Sequence, residues 1–153
     1  EKLVEEGKIR SLGVSNHSPG QLDQVCRFAR VQPLVNQLKF DVFRPGYQHP
    51  KPGLEDPLHA CKHRGVQVVG YSTLSGWPLL LRAVQDPLVL ALAKELNRSA
   101  GQILLRHAIQ KGIGVIPASA SSERMAENLG ALDFELGTRD MALLDGLAHL
   151  SSR

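Results

Sequence analysis

The residues best suited to binding chemistry lie in the last third of the chain. The apolar residues 113–116 are followed by the polar residues 117–121, and a helical pattern then begins with Ser121 or Ser122 as its N-cap. Arg124 and Asn128 are four residues apart, so they share one face of that helix. Serine hydroxyls, the free N–H groups of a helix start and a guanidinium can together hold a phosphate. Serine before a helix also serves for capping alone, so this stretch by itself leaves both interpretations open.

The same plan, an apolar run that ends in polar residues, occurs three times earlier, at residues 12–16, 34–38 and 66–72. Each run is short and rich in valine, leucine or isoleucine, and helical patterns separate the runs, which is typical of parallel βα units. A closed eight-stranded barrel needs about 200 residues or more. The sequence therefore predicts an α/β fold: half of a TIM (β/α)8 barrel, with four parallel βα units and extra helices, as one unit over residues 1–153.

Helical patterns are predicted from about residue 21, over residues 54–64, 87–96 and 100–111, and from residue 138 onward. Ser18 and Ser99 are the expected caps of two of these helices, and His107 lies on an apolar stripe, where a core histidine is expected rather than a base. Residues 40–52 and 73–86 are predicted as loops. The second loop carries the only tryptophan, Trp77, which either belongs to a lid or simply anchors the loop.

Four segments taken together resemble the second half of an aldo-keto reductase, in the same order and at similar separations: GKIRSLGVSN, PLVNQLKF, GVQVVGYSTL and GVIPASASSERMAENLGALDFEL. The resemblance covers nearly the whole chain. It implies a carbonyl reductase that uses NADP(H), or NAD(H), and acts on aldehydes or ketones. In that family the catalytic tyrosine, lysine, aspartate and histidine belong to the first half of the barrel. The resemblance therefore implies a cofactor-binding half without catalytic residues, inactive as this chain alone.

The resemblance also assigns the nicotinamide end of the cofactor site. Ser15, Asn16 and Gln37 would hold the nicotinamide carboxamide, which needs both a donor and an acceptor. Ser-Asn at a strand end also forms turns readily. Tyr71 would be the aromatic platform on which the ring stacks. The loop around the pyrophosphate would consist of Ser72, Thr73, Leu74 and Ser75, with threonine at 73 where the family has proline.

At the adenosine end, the residues that match the family's cofactor positions are Pro117, Ala118, Ser119, Arg124, Glu127 and Asn128. Arg124 would contact the 2′-phosphate or stack on adenine, and Asn128 would read the adenine edge. A lysine usually stands where this chain has Ala118. Losing that cation predicts a weaker preference for NADPH over NADH, by on the order of 1 kcal/mol or more. His17 and residues 39–41 also depart from the family pattern, on the substrate side.

Composition and charge narrow the function classes. The net charge is +3, and lysine and arginine are scattered without a basic run interleaved with aromatics, which argues against nucleic-acid binding. Cys26 and Cys61 lack metal-type spacing and suit a reducing compartment. The sequence has no signal segment and no apolar run of membrane length, so the expectation is a cytoplasmic protein. Residues 1–7 have the pattern of the last turns of a helix, as if the chain began in the middle of a fold.

Two other interpretations remain open at this point. The chain could be a non-catalytic nucleotide-binding or regulatory module, or a truncated product without function. A half barrel would leave strand edges unpaired near Leu12 and Val115, and exposed edges favour self-association.

Overall fold

A computed structural model of the chain describes residues 1–45, 55–74 and 83–150. Its centre is a sheet of four parallel strands in the order β1-β2-β4-β5. The strands are β1 (Leu12–Ser15), β2 (Pro33–Asp41), β4 (Gln67–Tyr71) and β5 (Gly114–Val115), and a short β3 (Arg44–Pro45) pairs antiparallel with the end of β2. The predicted half barrel is confirmed, because four parallel strands follow one another around the sheet with helices between them.

The helices are α1 (Lys2–Glu5), α2 (Pro19–Phe28), α3 (Pro57–His63), α4 (Pro87–Glu95), α5 (Ala100–Gln110), α6 (Ser122–Leu129) and α7 (Thr138–Leu150). Short 3₁₀ turns occupy Ala83–Gln85 and Gly130–Leu132. Ser18 and Ser99 cap α2 and α5 as predicted, each in a capping box in which a glutamine three residues later bonds back to the cap. Within the described residues, no helix is long and apolar enough to cross a membrane.

Two predicted boundaries were wrong. Residues 40 and 41 belong to β2 and not to a loop, because Asp41 accepts the N–H groups of Phe43 and Arg44, each at 3.0 Å, and so turns the strand into β3. Helix α3 begins at Pro57 rather than at residue 54, since Asp56 caps it. The start of helix α2 agrees with the sequence, because Ser18 is its cap and Pro19 takes the first helical position, where proline is favoured. Residues 46–54 lie outside the described part of the chain.

The apolar core has two parts. One part fills the space between the sheet and helices α2, α3 and α5, and includes Leu22, Leu38, Phe40, Val68 and Ile113. The other lies among α4, α5 and α7 and includes Val89, Ile103, Leu104, Leu144 and Leu147. The predicted apolar stripe of α5 is thereby confirmed. Side chains alternate along a strand, so the even-numbered residues of β2 face the helices and the odd-numbered ones face the inside of the barrel.

His107 is buried between these parts, as predicted for a core histidine. Its ring stacks on Phe40, and its Nε2 lies 2.8 Å from Asp145 Oδ1, which also accepts a hydrogen bond of 2.8 Å from Lys111. Burial lowers the pKa of His107, although the contact with Asp145 opposes this shift. Burial would raise the pKa of Asp145, but the hydrogen bonds from Lys111 and His107 hold it below its usual value. The group therefore links α7 to α5, and burial favours the neutral imidazole in the folded chain.

Candidate cofactor site

One hydrogen-bond network joins the end of β1, the middle of β2 and the end of β4. The sequence placed Gln37 at the end of its strand, but β2 continues to Asp41, so Gln37 lies within it. The Tyr71 hydroxyl donates to Asn16 Oδ1 at 3.1 Å, and Asn16 Nδ2 donates to Ser15 Oγ at 3.1 Å. Ser15 Oγ in turn donates to the main-chain oxygen of Gln37, its partner in the register of β1 and β2, also at 3.1 Å. The network therefore brings together the four residues that the sequence assigned to the nicotinamide end.

The chain turns sharply at two of these tips. Asn16 and Ser72 both have left-handed backbone conformations, with φ of 56° and 57°. Asparagine tolerates this region better than most residues, because its short amide bonds locally. The N–H of Asn16 continues the strand pairing by donating to the Gln37 oxygen at 2.9 Å. The turn after β1 therefore leaves the Asn16 side chain free to reach Tyr71, two strands away in the sheet.

Asn36 stabilises this turn from the opposite face of the sheet, and the sequence analysis did not identify it. Its amide is fully buried, donates to the main-chain oxygen of His17 at 3.0 Å and accepts from the N–H of His17 at 3.4 Å. A buried asparagine in an apolar strand needs such partners. The one polar position in the helix-facing stripe of β2 was the sequence signal that could have found it.

Gln37 lies on the inner face of the sheet, half-buried. Within the described residues its side-chain amide makes no hydrogen bond. One acceptor oxygen and two N–H donors are therefore available beside Tyr71 and Asn16. This is the donor and acceptor pair that a carboxamide ligand requires.

Lys39 and Asp41 follow Gln37 on the same face of β2 and form a buried ion pair. Lys39 is the register partner of Tyr71, so the pair lies at the same end of the sheet as the network. The two charges offset each other where either alone would be costly to bury. Both residues are among the departures from the family pattern that the sequence revealed.

Two of the side chains that the sequence assigned to the cofactor in the loop after β4 face the protein instead. Thr73 is buried, and its hydroxyl lies 3.5 Å from the main-chain oxygen of Gly70. Leu74 is half-buried and packs against the apolar core near α4. These two side chains therefore contact the rest of the protein. Only the main-chain groups of Thr73 and Leu74 remain to contact a ligand. Ser72 remains partly exposed, and Ser75 lies outside the described residues.

The start of α6 has the predicted cap. Ser121 Oγ accepts the N–H of Arg124 at 3.2 Å, and Ser119 Oγ accepts the N–H of Ser121 at 3.1 Å. The Ser121 and Ser122 hydroxyls also donate to the Glu123 carboxylate, at 2.6 Å and 3.2 Å. The hydroxyl of Ser121, followed by other local hydrogen bonds, holds the pKa of Glu123 below its usual value. A carboxylate of the chain itself thus occupies hydroxyls that were predicted to hold a phosphate.

The other residues of the adenosine end lie around α6. Arg124 and Glu127 are exposed, as is Ala118, and Asn128 is half-buried. Helix α5 approaches closely: a side-chain carbon at Gly101 would lie 3.6 Å from Glu127 Oε1 and 3.9 Å from Asn128 Oδ1. Pro117 and Asn128 line a cavity of about 500 Å³. Because β5 pairs with β4, the loop that leads to α6 begins next to the strand of Tyr71.

The fold, with polar residues at its strand ends, defines half of a (β/α)8 barrel. The model of the aldo/keto reductase family matches residues 1–149. The chain belongs to the aldo/keto reductase family.

Relatives support this from sequence and from structure. The chain is 34% identical over 147 residues to glyoxal reductase of Bacillus subtilis, covering 96% of this chain and 49% of the relative. It is 36% identical over 156 residues to aldo-keto reductase family 1 member A1 of Sus scrofa, covering 96% of this chain and 45% of the relative. The crystal structure of a Bombyx mori aldo-keto reductase in complex with NADP superposes with a TM-score of 0.80 at 28% identity, covering 95% of this chain and 47% of that one. The chain spans about half the length of the relatives it matches.

Proposed function

We propose that this chain forms the dinucleotide seat of an NAD(P)H-dependent carbonyl reductase and supplies no catalytic acid. The observation that carries the proposal is the network that joins Ser15, Asn16, Gln37 and Tyr71 across three neighbouring strands. Membership of an oxidoreductase family supports the same conclusion.

The residues at the strand tips fit a nicotinamide. The bound dinucleotide supplies a hydride to an aldehyde or ketone carbon. Gln37 offers its free amide to the carboxamide of the ring, while Tyr71 gives the ring an aromatic surface to stack on. Asn16 holds the Tyr71 hydroxyl at 3.1 Å and so fixes the platform relative to β1.

The start of α6 fits an adenosine group without the 2′-phosphate that NADPH carries. Arg124 is exposed and makes no side-chain hydrogen bond within the described residues. Glu123 occupies the neighbouring hydroxyls, and Ala118 supplies no cation. A 2′-phosphate would meet one cation and one nearby carboxylate, so the preference for NADPH over NADH should be small.

The acid needed for turnover is not available among the described residues at the strand tips. Tyr71 donates its hydroxyl proton to Asn16, and Lys39 is paired with Asp41. Protonation of an alkoxide requires a donor positioned at the reacting oxygen. We expect this chain to bind the dinucleotide without reducing a carbonyl, which is also what a non-catalytic nucleotide-binding module would do.

Two free cysteines, Cys26 and Cys61, support a reducing compartment such as the cytoplasm.

Calorimetric titration with NADPH and NADH tests the proposal. The chain should bind both, and Gln37→Ala should weaken binding by about tenfold, the loss expected for a hydrogen-bonded amide of this kind. Gln24→Ala, on the exposed face of α2, is the matched control and should leave affinity unchanged. Absence of binding to either dinucleotide at millimolar concentration would contradict the proposal. Carbonyl reduction by the purified chain above background would overturn the part that assigns it no acid.

A further inference from the structure

Asn36 is a polar residue in an apolar layer. Its side chain is fully buried, and the next two residues on the same face of β2, Leu38 and Phe40, belong to the core between the sheet and the helices. The Asn36 amide donates to the main-chain oxygen of His17 at 3.0 Å and accepts the N–H of His17 at 3.4 Å. A third contact, from the amide nitrogen to Cys61 Sγ at 3.5 Å, fixes which end of the amide faces each group. The amide therefore pairs with His17 as the main chain of a neighbouring strand would.

This side-chain pairing begins where the pairing of the strands stops. Ser15 is the last residue of β1 and is in register with Gln37, and the N–H of Asn16 still donates to the Gln37 oxygen at 2.9 Å. One residue later the strand has ended, and among the described residues the main chain of His17 bonds to the Asn36 amide alone. Asn16 therefore lies between two fixed points, one on the main chain of Gln37 and one on the side chain of Asn36.

The position of Asn16 matters to the dinucleotide seat because its Oδ1 accepts the Tyr71 hydroxyl at 3.1 Å. Asn16 has a left-handed backbone conformation, with φ of 56°. A residue other than glycine keeps such a conformation only where its surroundings hold it. Without the contacts to His17, the turn would be free to relax and Tyr71 would lose its partner.

We propose that Asn36 is a positioning residue for the nicotinamide end of the seat. It acts through His17 and Asn16 on Tyr71, and it makes no contact with the dinucleotide itself. Its side chain faces the helices, on the opposite side of β2 from Gln37, and is fully buried there. The inference rests on the proposed function, because it assigns a role within the same dinucleotide seat.

The adenosine end should not depend on Asn36. Ser119 and Ser121, at the start of α6, form hydrogen bonds only within that turn in the part of the chain that the structure describes. Strand β5, which leads to α6, pairs with β4 and not with β1. A change at Asn36 should therefore weaken binding of the nicotinamide half of the dinucleotide and leave binding of the adenosine half.

Calorimetric titration with NADH and with ADP-ribose, which lacks the nicotinamide base, separates the two ends. Asn36→Leu nearly keeps the side-chain volume but loses both contacts with His17, so it should weaken NADH binding by about tenfold and ADP-ribose binding by no more than about twofold. Cys61→Ala removes only the third contact and should have a smaller effect in the same direction.

A control variant separates positioning from lost stability. Leu144 is fully buried in the other part of the core, so Leu144→Ala should lower the free energy of unfolding without changing the ratio of the two affinities. Circular dichroism of each variant shows whether it is folded. If Asn36→Leu does not fold, Asn36→Ser replaces it in the same measurements, because the shorter side chain cannot bond to both main-chain groups of His17.

A double-mutant cycle shows whether the effect passes through Asn16. If it does, Asn36→Leu should cost little further NADH affinity in a chain that already carries Asn16→Ala. The cycle uses NADH alone, so it is decisive even where ADP-ribose binds too weakly to measure. Additive losses in the cycle would overturn the proposal, because Asn36 would then act independently of Asn16.

The affinities themselves can also contradict the proposal. Unchanged NADH affinity in the Asn36 variant, or an equal loss for both ligands, would leave Asn36 a purely structural role. Either result leaves the proposed function in place, since the wild-type chain still binds NADH. A wild-type chain that binds neither ligand contradicts the proposed function itself, and this inference with it.

Discussion

Tyr71 ends β4 and Asn16 directly follows β1, two strands that do not pair with each other, yet the Tyr71 hydroxyl donates to Asn16 Oδ1 at 3.1 Å. The contact passes over β2, whose Gln37 is the register partner of Ser15 and whose Lys39 is the register partner of Tyr71. Side chains from the two flanking strands therefore meet across the strand between them. This arrangement is a feature of the strand ends, where barrels of this kind place their ligands.

The Tyr71 contact predicts two graded effects on dinucleotide affinity. Tyr71→Phe keeps the ring but loses the hydrogen bond to Asn16, so affinity should fall by about 1 kcal/mol. Tyr71→Ala also removes the stacking surface and should weaken binding further, by about tenfold or more in total. Isothermal titration calorimetry measures both. Wild-type affinity in Tyr71→Ala would show that no ring stacks there.

The carboxylate of Glu123 predicts a change in cofactor preference. Glu123→Gln removes a negative charge from the hydroxyls of Ser121 and Ser122, so it should raise affinity for NADPH more than for NADH. Ala118→Lys should shift the ratio in the same direction, by on the order of 1 kcal/mol or more. Glu135→Gln, far along the chain from these serines, is the control. An unchanged ratio of the two dissociation constants in both site variants would contradict this account of selectivity.

His107 predicts how stability depends on pH. Burial lowers its pKa in the folded chain, so below the ordinary histidine value of 6.5 the unfolded chain takes up this proton more readily. The free energy of unfolding should therefore fall as pH decreases from about 7, until the pH reaches the lowered pKa. Thermal melts between pH 8 and pH 5 measure this slope, and His107→Gln should reduce it. Equal slopes in wild type and His107→Gln would contradict the assignment.

The buried pair of Lys39 and Asp41 predicts a non-additive effect on stability. Asp41→Asn leaves a buried ammonium without its counter-charge and should cost about 3–5 kcal/mol. The double variant Lys39→Met, Asp41→Asn removes both charges and should regain most of that loss. Urea unfolding gives both values, with Lys94→Met on α4 as the exposed control. A double variant no more stable than Asp41→Asn would show that Asp41 does not offset the cost of burying the Lys39 charge.

The sequence was sufficient for the strand order and for most helices, because apolar periodicity and caps such as Ser18 and Ser99 act locally. It also located the ends of β1 and β4, since polar residues follow those apolar runs, but it ended β2 too early. The hairpin at Asp41 was missed because charged residues in a strand resemble a loop. Nothing in a linear pattern shows that Lys39 and Asp41, two apart on one face, compensate each other.

The hydrogen-bond partners at the site could not be predicted from the sequence either. The pattern identified Ser121 as a cap, but the hydroxyls of Ser121 and Ser122 could equally have faced a ligand or Glu123. The buried role of Asn36 depends on His17, which lies nineteen residues earlier and meets it only through the pairing of β1 with β2. Such choices depend on side-chain orientation and tertiary contacts.

NMR of the isotopically labelled chain titrated with NADP⁺ tests most directly whether these strand tips and α6 hold one dinucleotide. The account predicts that the resonances of Asn16, Gln37 and Tyr71 shift together with those of Arg124 and Asn128, with a single dissociation constant, and that nicotinamide protons show contacts to the Tyr71 ring. Shifts confined to other surfaces of the chain, or no shifts at saturating cofactor, would contradict it.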